Sequence, residues 1–238
     1  MTGLLTPWEA AALWLSLKVA LTAVFAVLPL ALGCAWLFAR RDFPGKPLLA
    51  GLVQMPLVLP PVVFGYALLL LFGRQGPLGG LLYDLFGVTL IFNWKGAALA
   101  AAAMAFPLMV RSMQLALEAV DPDLENAART LGATPPAAFV TVTLPLIAPG
   151  VLTALILGFA RALGEFGATI TFVSNIPGET QTLPLAIYSL AQTPGMEGGA
   201  LLLVILSVAV ALAATLLSEA LARRLPVRSG ADRRRALR

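Results

Sequence analysis

Arg161 and Glu165 are the side chains whose type and spacing most suggest chemistry, because they lie four residues apart within an apolar segment. An ionisable residue in the middle of a bilayer costs roughly 2.5–3.5 kcal/mol on insertion scales, so it usually faces a charged partner or a wet cavity. Two interpretations stay open. The pair is either a salt bridge that locks the helix bundle, or a cavity-facing pair whose arginine attracts an oxyanion.

Further polar and helix-breaking residues accompany this pair. Thr169, Thr171 and Ser174 carry hydroxyls toward the outer end of the same segment. These hydroxyls either line a path or bond to carbonyls of their own helix. Pro60 and Pro61 interrupt a second apolar segment and free its backbone carbonyls. Together with the Arg/Glu pair, these residues form a candidate translocation path.

Residues for catalysis or metal binding are scarce. The chain contains no histidine, and its single cysteine, Cys34, lies in an apolar run. This composition excludes His/Cys metal sites, disulfides and His-based nucleophiles. Neither a G-x-x-x-x-G-K-[ST] nor a G-x-G-x-x-G pattern occurs. We therefore expect a non-catalytic chain that itself binds no metal, ATP or other cofactor.

The elements that position these residues are predicted to be membrane-spanning helices. The chain is 59% hydrophobic and 12% charged, with a mean hydropathy of +0.90, whereas soluble proteins average about 25% charged residues. A span needs about 20 mostly apolar residues. The qualifying segments are Leu13–Phe38, Leu49–Phe72, Gly96–Val110, Pro149–Val173 and Ala200–Leu221. We predict an all-α integral membrane protein with about five transmembrane helices, in which residues 1–222 form one transmembrane domain.

A shorter apolar stretch, Leu81–Phe92, contains Asp84 and lies in a Gly-rich region. We predict a short interfacial or re-entrant helix here, with a sixth span as the alternative.

The distribution of Lys and Arg predicts the orientation. Twelve of them lie within residues 40–46, 111–129 and 223–238, and two lie in the opposite set of loops. Because basic residues accumulate on the cytoplasmic side, the N-terminus is expected outside and the C-terminus in the cytoplasm. The basic residues flank apolar runs. This placement, including that of the tail at 223–238, indicates contact with lipid headgroups rather than with nucleic acid.

The cytoplasmic segment 111–148 contains a second group of candidate functional residues. Asp121-Pro122 is a helix-start pattern, with an acid at the N-cap and proline at the first helical position. Residues at helical spacing then form one apolar face: Leu124, Ala127, Ala128 and Leu131. We therefore predict a short amphipathic helix.

The residues after this face predict a bend. Glu125 and Arg129 are spaced for an i,i+4 ion pair, and Gly132 is expected to end the helix. Thr134-Pro135 then begins a second short helix by the same start pattern. On physical grounds alone, the helix–glycine–helix unit either docks another protein or lies on the membrane surface.

This segment resembles the coupling loop of ABC importer permeases, whose pattern is E-A-A, three residues, G, nine residues, I, one residue and L-P. Every spacing is present, at Asn126, Ala127, Ala128, Gly132, Val142, Leu144 and Pro145. Asn126 replaces the usual acid, with Glu125 one place earlier, and Val142 replaces isoleucine. The resemblance implies that the loop, including Glu125, inserts into a separate cytoplasmic ATPase subunit that binds ATP and Mg²⁺.

The chain also resembles the permeases of molybdate importers nearly end to end. Four stretches carry this resemblance: MPLVLPPVVFGY (55–66), AFPLMVRSM (105–113), ARALGEFGAT (160–169) and TFVSNIPGETQTLP (171–184). The resemblance implies a type I ABC importer permease fold in a bacterial inner membrane. It also implies a homodimer that passes molybdate along its interface by alternating access. A periplasmic molybdate-binding protein is expected to dock on the outer surface, where the polar loop 175–197 lies.

Other functions stay as alternatives. Sulfate and thiosulfate permeases share the same general plan. An ion-coupled secondary transporter would need paired repeats and a coupling-ion site, and neither is clear in this sequence. A membrane-embedded enzyme would need a catalytic constellation, and a scaffold protein would not require the coupling-loop spacing.

Overall fold

The computed structural model describes residues 6–222, and within this range every regular element is helical. In chain order the helices are α1 Pro7–Arg40, α2 Lys46–Val58, α3 Pro61–Phe72, α4 Pro77–Phe86, α5 Trp94–Glu118, α6 Pro122–Thr130, α7 Pro135–Ala138, α8 Leu144–Leu163, α9 Gly167–Val173, α10 Leu183–Ala191 and α11 Glu197–Ala222. A π-helical turn, Phe139–Thr143, joins α7 to α8 without a break. The basic tail at 223–238 lies outside the described residues.

The described helices provide four or five membrane crossings. Four helices are long and apolar enough to span: Pro7–Arg40, Trp94–Glu118, Pro135–Leu163 and Glu197–Leu217. Helices α2 and α3 qualify only as a pair bent by 113°, which forms either a broken fifth span or a re-entrant loop. This number agrees with the prediction of about five transmembrane helices. A short helix is present, but α4 covers Pro77–Phe86 and not the predicted Leu81–Phe92. Its 10 residues are half of what a span needs (about 20), so α4 is not a sixth span.

The second span is broken where the prolines predict it. Helix α2 ends at Val58, Pro60 is the N-cap of α3, and Pro61 is the first residue of α3. Proline has no N–H to donate and clashes with the preceding turn, so the hydrogen-bond ladder cannot continue through this pair.

The prediction of one continuous helix over Pro149–Val173 is wrong. The helix ends at Leu163, residues 164–166 are non-helical, and α9 begins at Gly167. The carboxylate of Glu165 accepts a hydrogen bond from the backbone N–H of Ala168 at 2.8 Å. It thereby satisfies a donor at the start of α9 that a continuous helix would have paired internally.

Helix α5 forms the centre of the bundle and packs between α1 and α8. Its alanines are fully buried at Ala97, Ala100, Ala101 and Ala105. Such small side chains let membrane helices approach closely. α1 and α5 run parallel, because Lys18 lies over Trp94 near one end and Arg40 reaches the Val120 carbonyl at the other.

The prediction of a polar outer loop over 175–197 is wrong in part. This stretch contains α10, whose Leu183, Leu185 and Ala186 are buried. The backbone N–H of Leu183 donates to Ser16 Oγ at 2.6 Å, which fixes α10 against α1. The sequence pattern did not reveal α10 because its nine residues are too few for a span, which needs about 20.

The contact between α3 and α9 predicts a packing-sensitive position at Gly65. A Cβ added there would lie 2.6 Å from the carbonyl oxygen of Ala168, and backbone cannot easily move away. We expect Gly65→Ala to destabilise the folded protein by about 1–3 kcal/mol, as overpacking typically does. Thermal unfolding in detergent measures this.

Gly51→Ala is the matched control, because a Cβ at Gly51 would meet no atom of the described residues within 4 Å. Alanine there should be neutral or slightly stabilising. Equal melting temperatures for the two variants would contradict the packing of α3 on α9.

Candidate coupling surface and translocation path

Helix α6 exposes its apolar face at the end of the bundle where α1 and α5 terminate. The Asp121 carboxylate accepts a hydrogen bond from the Asp123 N–H at 3.0 Å, and Gly132 adopts φ +96° after the helix. Both predicted boundaries are confirmed. Leu124 is 39% exposed and Leu131 is 89% exposed, and none of residues 122–130 is buried. Most of this face is therefore exposed among the described residues, which is typical of a protein docking surface.

Glu125 pairs with a different residue from the one predicted. The structure shows no Glu125–Arg129 ion pair among the described residues. Instead, Glu125 Oε1 lies 3.5 Å from Arg40 Nη2 at the end of α1 and accepts a hydrogen bond from the Thr143 hydroxyl. This partner is physically favoured because the Arg40 side chain is only 15% exposed, and a largely buried cation requires a counter-charge.

The remaining motif residues divide between the surface and the base of α8. Asn126 and Ala127 are exposed, and Ala128 is half-buried. Leu144 and Pro145 lie in the first turn of α8. The predicted second short helix is therefore not separate, because Pro135 begins a helix that continues without a break to Leu163. Movement of the loop would act directly on this span.

A second ion pair joins the loop after α1 to the first residue of α2. Lys46 Nζ is 2.8 Å from the Asp42 carboxylate, and this hydrogen bond and charge lower the pKa of Asp42 from its ordinary value. Asp42 is fully exposed, so water screens the pair and it contributes little.

The candidate path is organised around two helix breaks that meet. A Cβ on Gly167, at the start of α9, would lie 2.8 Å from Pro61 Cβ at the start of α3. The break at 59–60 therefore lies next to the break at 164–166. Non-helical backbone at membrane depth is tolerated where it is buried in protein or lines a water-filled cavity. Pro60 and Pro61 are exposed on the single chain.

Arg161 and Glu165 lie at the second break and contact each other. Arg161 Nη1 is 2.5 Å from Glu165 Oε2, and the two side chains are 23% and 2% exposed. Glu165 is fixed, because its other oxygen accepts from the Ala168 N–H. Arg161 is the more accessible partner. Its guanidinium has further N–H donors, in a planar arrangement that suits an oxyanion.

The three hydroxyl residues are not equivalent. Thr169 is 1% exposed and packs inside the bundle. The Thr171 hydroxyl donates to the carbonyl of Gly167 at 2.8 Å, within its own helix. Ser174 is exposed just beyond the end of α9, with φ +65°. The structure thus places Arg161, Glu165 and Pro61 near the breaks and Ser174 at the far end of α9.

An apolar pocket of about 710 Å³ lies between α8, α10 and α11. Its lining includes Phe159, Leu163, Phe166, Tyr188 and Val208. No charged side chain lines it, so it suits apolar side chains or an acyl chain rather than an oxyanion. No local sequence pattern indicates this pocket, because its wall includes α10, which lies in a stretch predicted to be a loop.

Comparisons with known proteins agree with this architecture. Residues 17–227 match the family described as "Binding-protein-dependent transport system inner membrane component". The Molybdenum transport system permease protein ModB of Escherichia coli (strain K12) is 58% identical over 220 residues, which cover 92% of this chain and 96% of that protein. ModB of Haemophilus influenzae is 54% identical over 222 residues, covering 93% and 97%.

A solved structure shows the same fold. It is that of a bacterial alginate ABC transporter in complex with alginate pentasaccharide-bound periplasmic protein. The TM-score is 0.74 at 17% identity, covering 93% of this chain and 81% of that chain. The predicted fold of a type I ABC importer permease is confirmed. By its sequence match over residues 17–227, this chain belongs to the family of binding-protein-dependent transport system inner membrane components.

Proposed function

We propose that this chain is the membrane-spanning subunit of an ATP-driven, binding-protein-dependent molybdate importer. The observation that carries the proposal is the uncovered apolar face of α6. It lies in a chain whose relatives at 58% and 54% identity are molybdenum permeases. The chain supplies the moving pore and no catalysis, and ATP and Mg²⁺ bind to a partner ATPase.

Helix α6 docks that ATPase. Leu124, Ala127 and Leu131 present the exposed apolar contact, and the small side chains leave room for a groove to approach. Asn126 and Ala128 flank this contact, and Gly132 sets the angle at which α6 leaves the bundle. Leu144 and Pro145 connect the loop to α8. Glu125 supports the helix from its inner side through Arg40.

The N-terminus lies outside and the C-terminus in the cytoplasm. The basic residues support this orientation, with twelve on one set of loops and two on the other. Independent support comes from Arg40, because its contact with Glu125 places the end of α1 on the same face as α6. If α6 meets a cytoplasmic ATPase, the start of α1 faces the periplasm of a bacterial inner membrane.

Two copies form the pore between them. Pro60 and Pro61 interrupt a span and are exposed on the single chain. Because the prolines have no N–H, carbonyls of the preceding turn stay unpaired. Exposing these carbonyls to lipid would be energetically unfavourable, whereas a water-filled interface between two copies would hydrate them. Arg161, Glu165 and the hydroxyls of Thr169, Thr171 and Ser174 flank or support this path. ATP binding shifts the pore between outward- and inward-open states by favouring one of them.

A periplasmic binding protein delivers the substrate and supplies most of the discrimination. Arg161 offers hydrogen bonds and one positive charge, which suit any tetrahedral dianion. A sulfate-type permease is less well supported, because both of the relatives described above are molybdenum permeases.

ATP-dependent uptake into proteoliposomes tests the proposal. The vesicles contain this chain, its ATPase and its binding protein, and molybdate, tungstate and sulfate are offered side by side. We expect uptake of molybdate and tungstate, weak uptake of sulfate and none without ATP. Strong sulfate uptake would overturn the assignment of molybdate as the substrate. Uptake that does not depend on ATP would overturn the whole proposal.

A further inference from the structure

We propose that Arg40, Glu125 and Thr143 form a rigid latch that transmits movement of α6 to α1 and α8. The inference rests on the proposed function, in which α6 docks an ATPase. It adds the physical connection by which a displacement of α6 reaches the membrane-spanning helices.

The latch joins elements that are far apart in the sequence. Glu125 Oε1 accepts a hydrogen bond from the Thr143 hydroxyl and lies 3.5 Å from Arg40 Nη2. The same Arg40 nitrogen donates to the Val120 carbonyl, just beyond α5, at 3.3 Å. The Glu125 carboxylate therefore joins α6 to α1 and to the base of α8, and Arg40 extends the contact to the end of α5.

The side chains of the latch are shielded from solvent, whereas most of α6 is exposed. Thr143 is fully buried, and the Arg40 and Glu125 side chains are 15% and 26% exposed. Arg40 Nε is buried and has no hydrogen-bond partner among the described residues. Removing Glu125 would leave a largely buried guanidinium without its counter-charge, which is far less favourable than removing both partners.

No apolar core provides an alternative connection. None of residues 122–130 is buried. Among the described elements, α6 packs mainly against α7 and the π-helical turn. Leu124, Ala127 and Leu131 of its apolar face are exposed and available to a partner. The polar contact through Glu125 is therefore the main side-chain attachment of α6 to α1.

Thr143 places the latch at an irregular point of the fourth span. It is the last residue of the π-helical turn that precedes α8. Such turns are rare and occur frequently at functional positions. A displacement of α6 acts on this turn through the Glu125–Thr143 hydrogen bond as well as through the chain at Gly132.

The test is Glu125→Gln in the assembled transporter, with ATPase binding, ATP hydrolysis and substrate uptake measured on one preparation. We expect ATPase assembly and hydrolysis to persist and uptake per ATP to fall roughly fivefold, the low end of typical coupling effects. Thr143→Val should lower uptake per ATP in the same direction. Glu118→Gln is the matched control, because Glu118 is exposed and bonds only to Gln114 at 2.7 Å among the described residues.

The double variant Arg40→Gln/Glu125→Gln distinguishes two causes of low uptake: loss of the connection through Glu125, and the unpaired buried charge of Arg40. It removes the unpaired buried cation, so thermal stability should recover while uptake per ATP stays low. Recovered uptake, wild-type uptake in Glu125→Gln, or loss of ATPase binding in Glu125→Gln would each overturn the latch. Failure of the wild-type chain to bind the ATPase would instead overturn the proposed function, and the latch with it.

Discussion

Replacing Gly132 with proline should abolish ATP-dependent uptake while leaving membrane insertion intact. Gly132 has φ +96°, in the left-handed region, and its N–H donates to the Arg129 carbonyl at 3.0 Å. Proline fixes φ near −65° and has no N–H, so the bend between α6 and α7 cannot form. Helix α6 would then leave the bundle at another angle, and its apolar face would miss the ATPase.

The measurement is uptake in proteoliposomes together with co-purification of the ATPase. We expect co-purification and uptake both to fall by at least about tenfold, which corresponds to a loss of about 1.4 kcal/mol in docking. Gly132→Asn is the control, because asparagine tolerates the left-handed conformation better than other residues. Its uptake should stay near wild type. Full coupling in Gly132→Pro would contradict the docking assignment.

Leu131→Glu tests the same surface without touching the bend. The Leu131 side chain is 89% exposed, so glutamate there should not disturb the fold. It should weaken ATPase binding, because a charge would be buried against a groove that accepts an apolar side chain. Unchanged co-purification of the ATPase would show that the groove contacts another face of α6.

The start and end of α6 were predictable because their signals are local. Asp121-Pro122 and Gly132 act within one turn of the positions they define, so the sequence alone determines them. The partner of Glu125 was not predictable in this way. Spacing on one helix points to Arg129, whereas the true partner, Arg40, lies 85 residues away in the sequence and is near only in the folded chain.

Of the two helix breaks, one was predictable from the sequence and the other was not. The break at Pro60 and Pro61 follows from covalent structure, since proline has no N–H to donate. The break at 164–166 depends on Gly164, Gly167 and the capping carboxylate of Glu165. Glycine alone is tolerated in membrane helices, so the apolar pattern favoured a continuous span. Helix α10 was missed because its burial depends on α1 and α11, which no local pattern reports.

Replacing Arg161 with glutamine should lower molybdate uptake by at least about tenfold if the arginine faces the translocation path. Loss of a charge-assisted hydrogen bond to the anion removes about 1.5–3 kcal/mol. The variant also leaves Glu165, which is 2% exposed, without its cation. Breaking a buried pair from one side is itself destabilising by about 3–5 kcal/mol, so reduced uptake alone would not identify the cause.

Glu165→Gln and the double variant Arg161→Gln/Glu165→Gln separate the two causes. Glutamine at 165 can still accept from the Ala168 N–H, so α9 keeps its cap, and the double variant contains neither buried charge. We expect thermal stability of the double variant to approach wild type while its uptake stays low, because no guanidinium remains for the anion. Uptake in Glu165→Gln should persist, since Arg161 is then free of its internal partner. Recovery of both stability and uptake in the double variant would show that the pair only joins α8 to α9, and that the path lies along other residues.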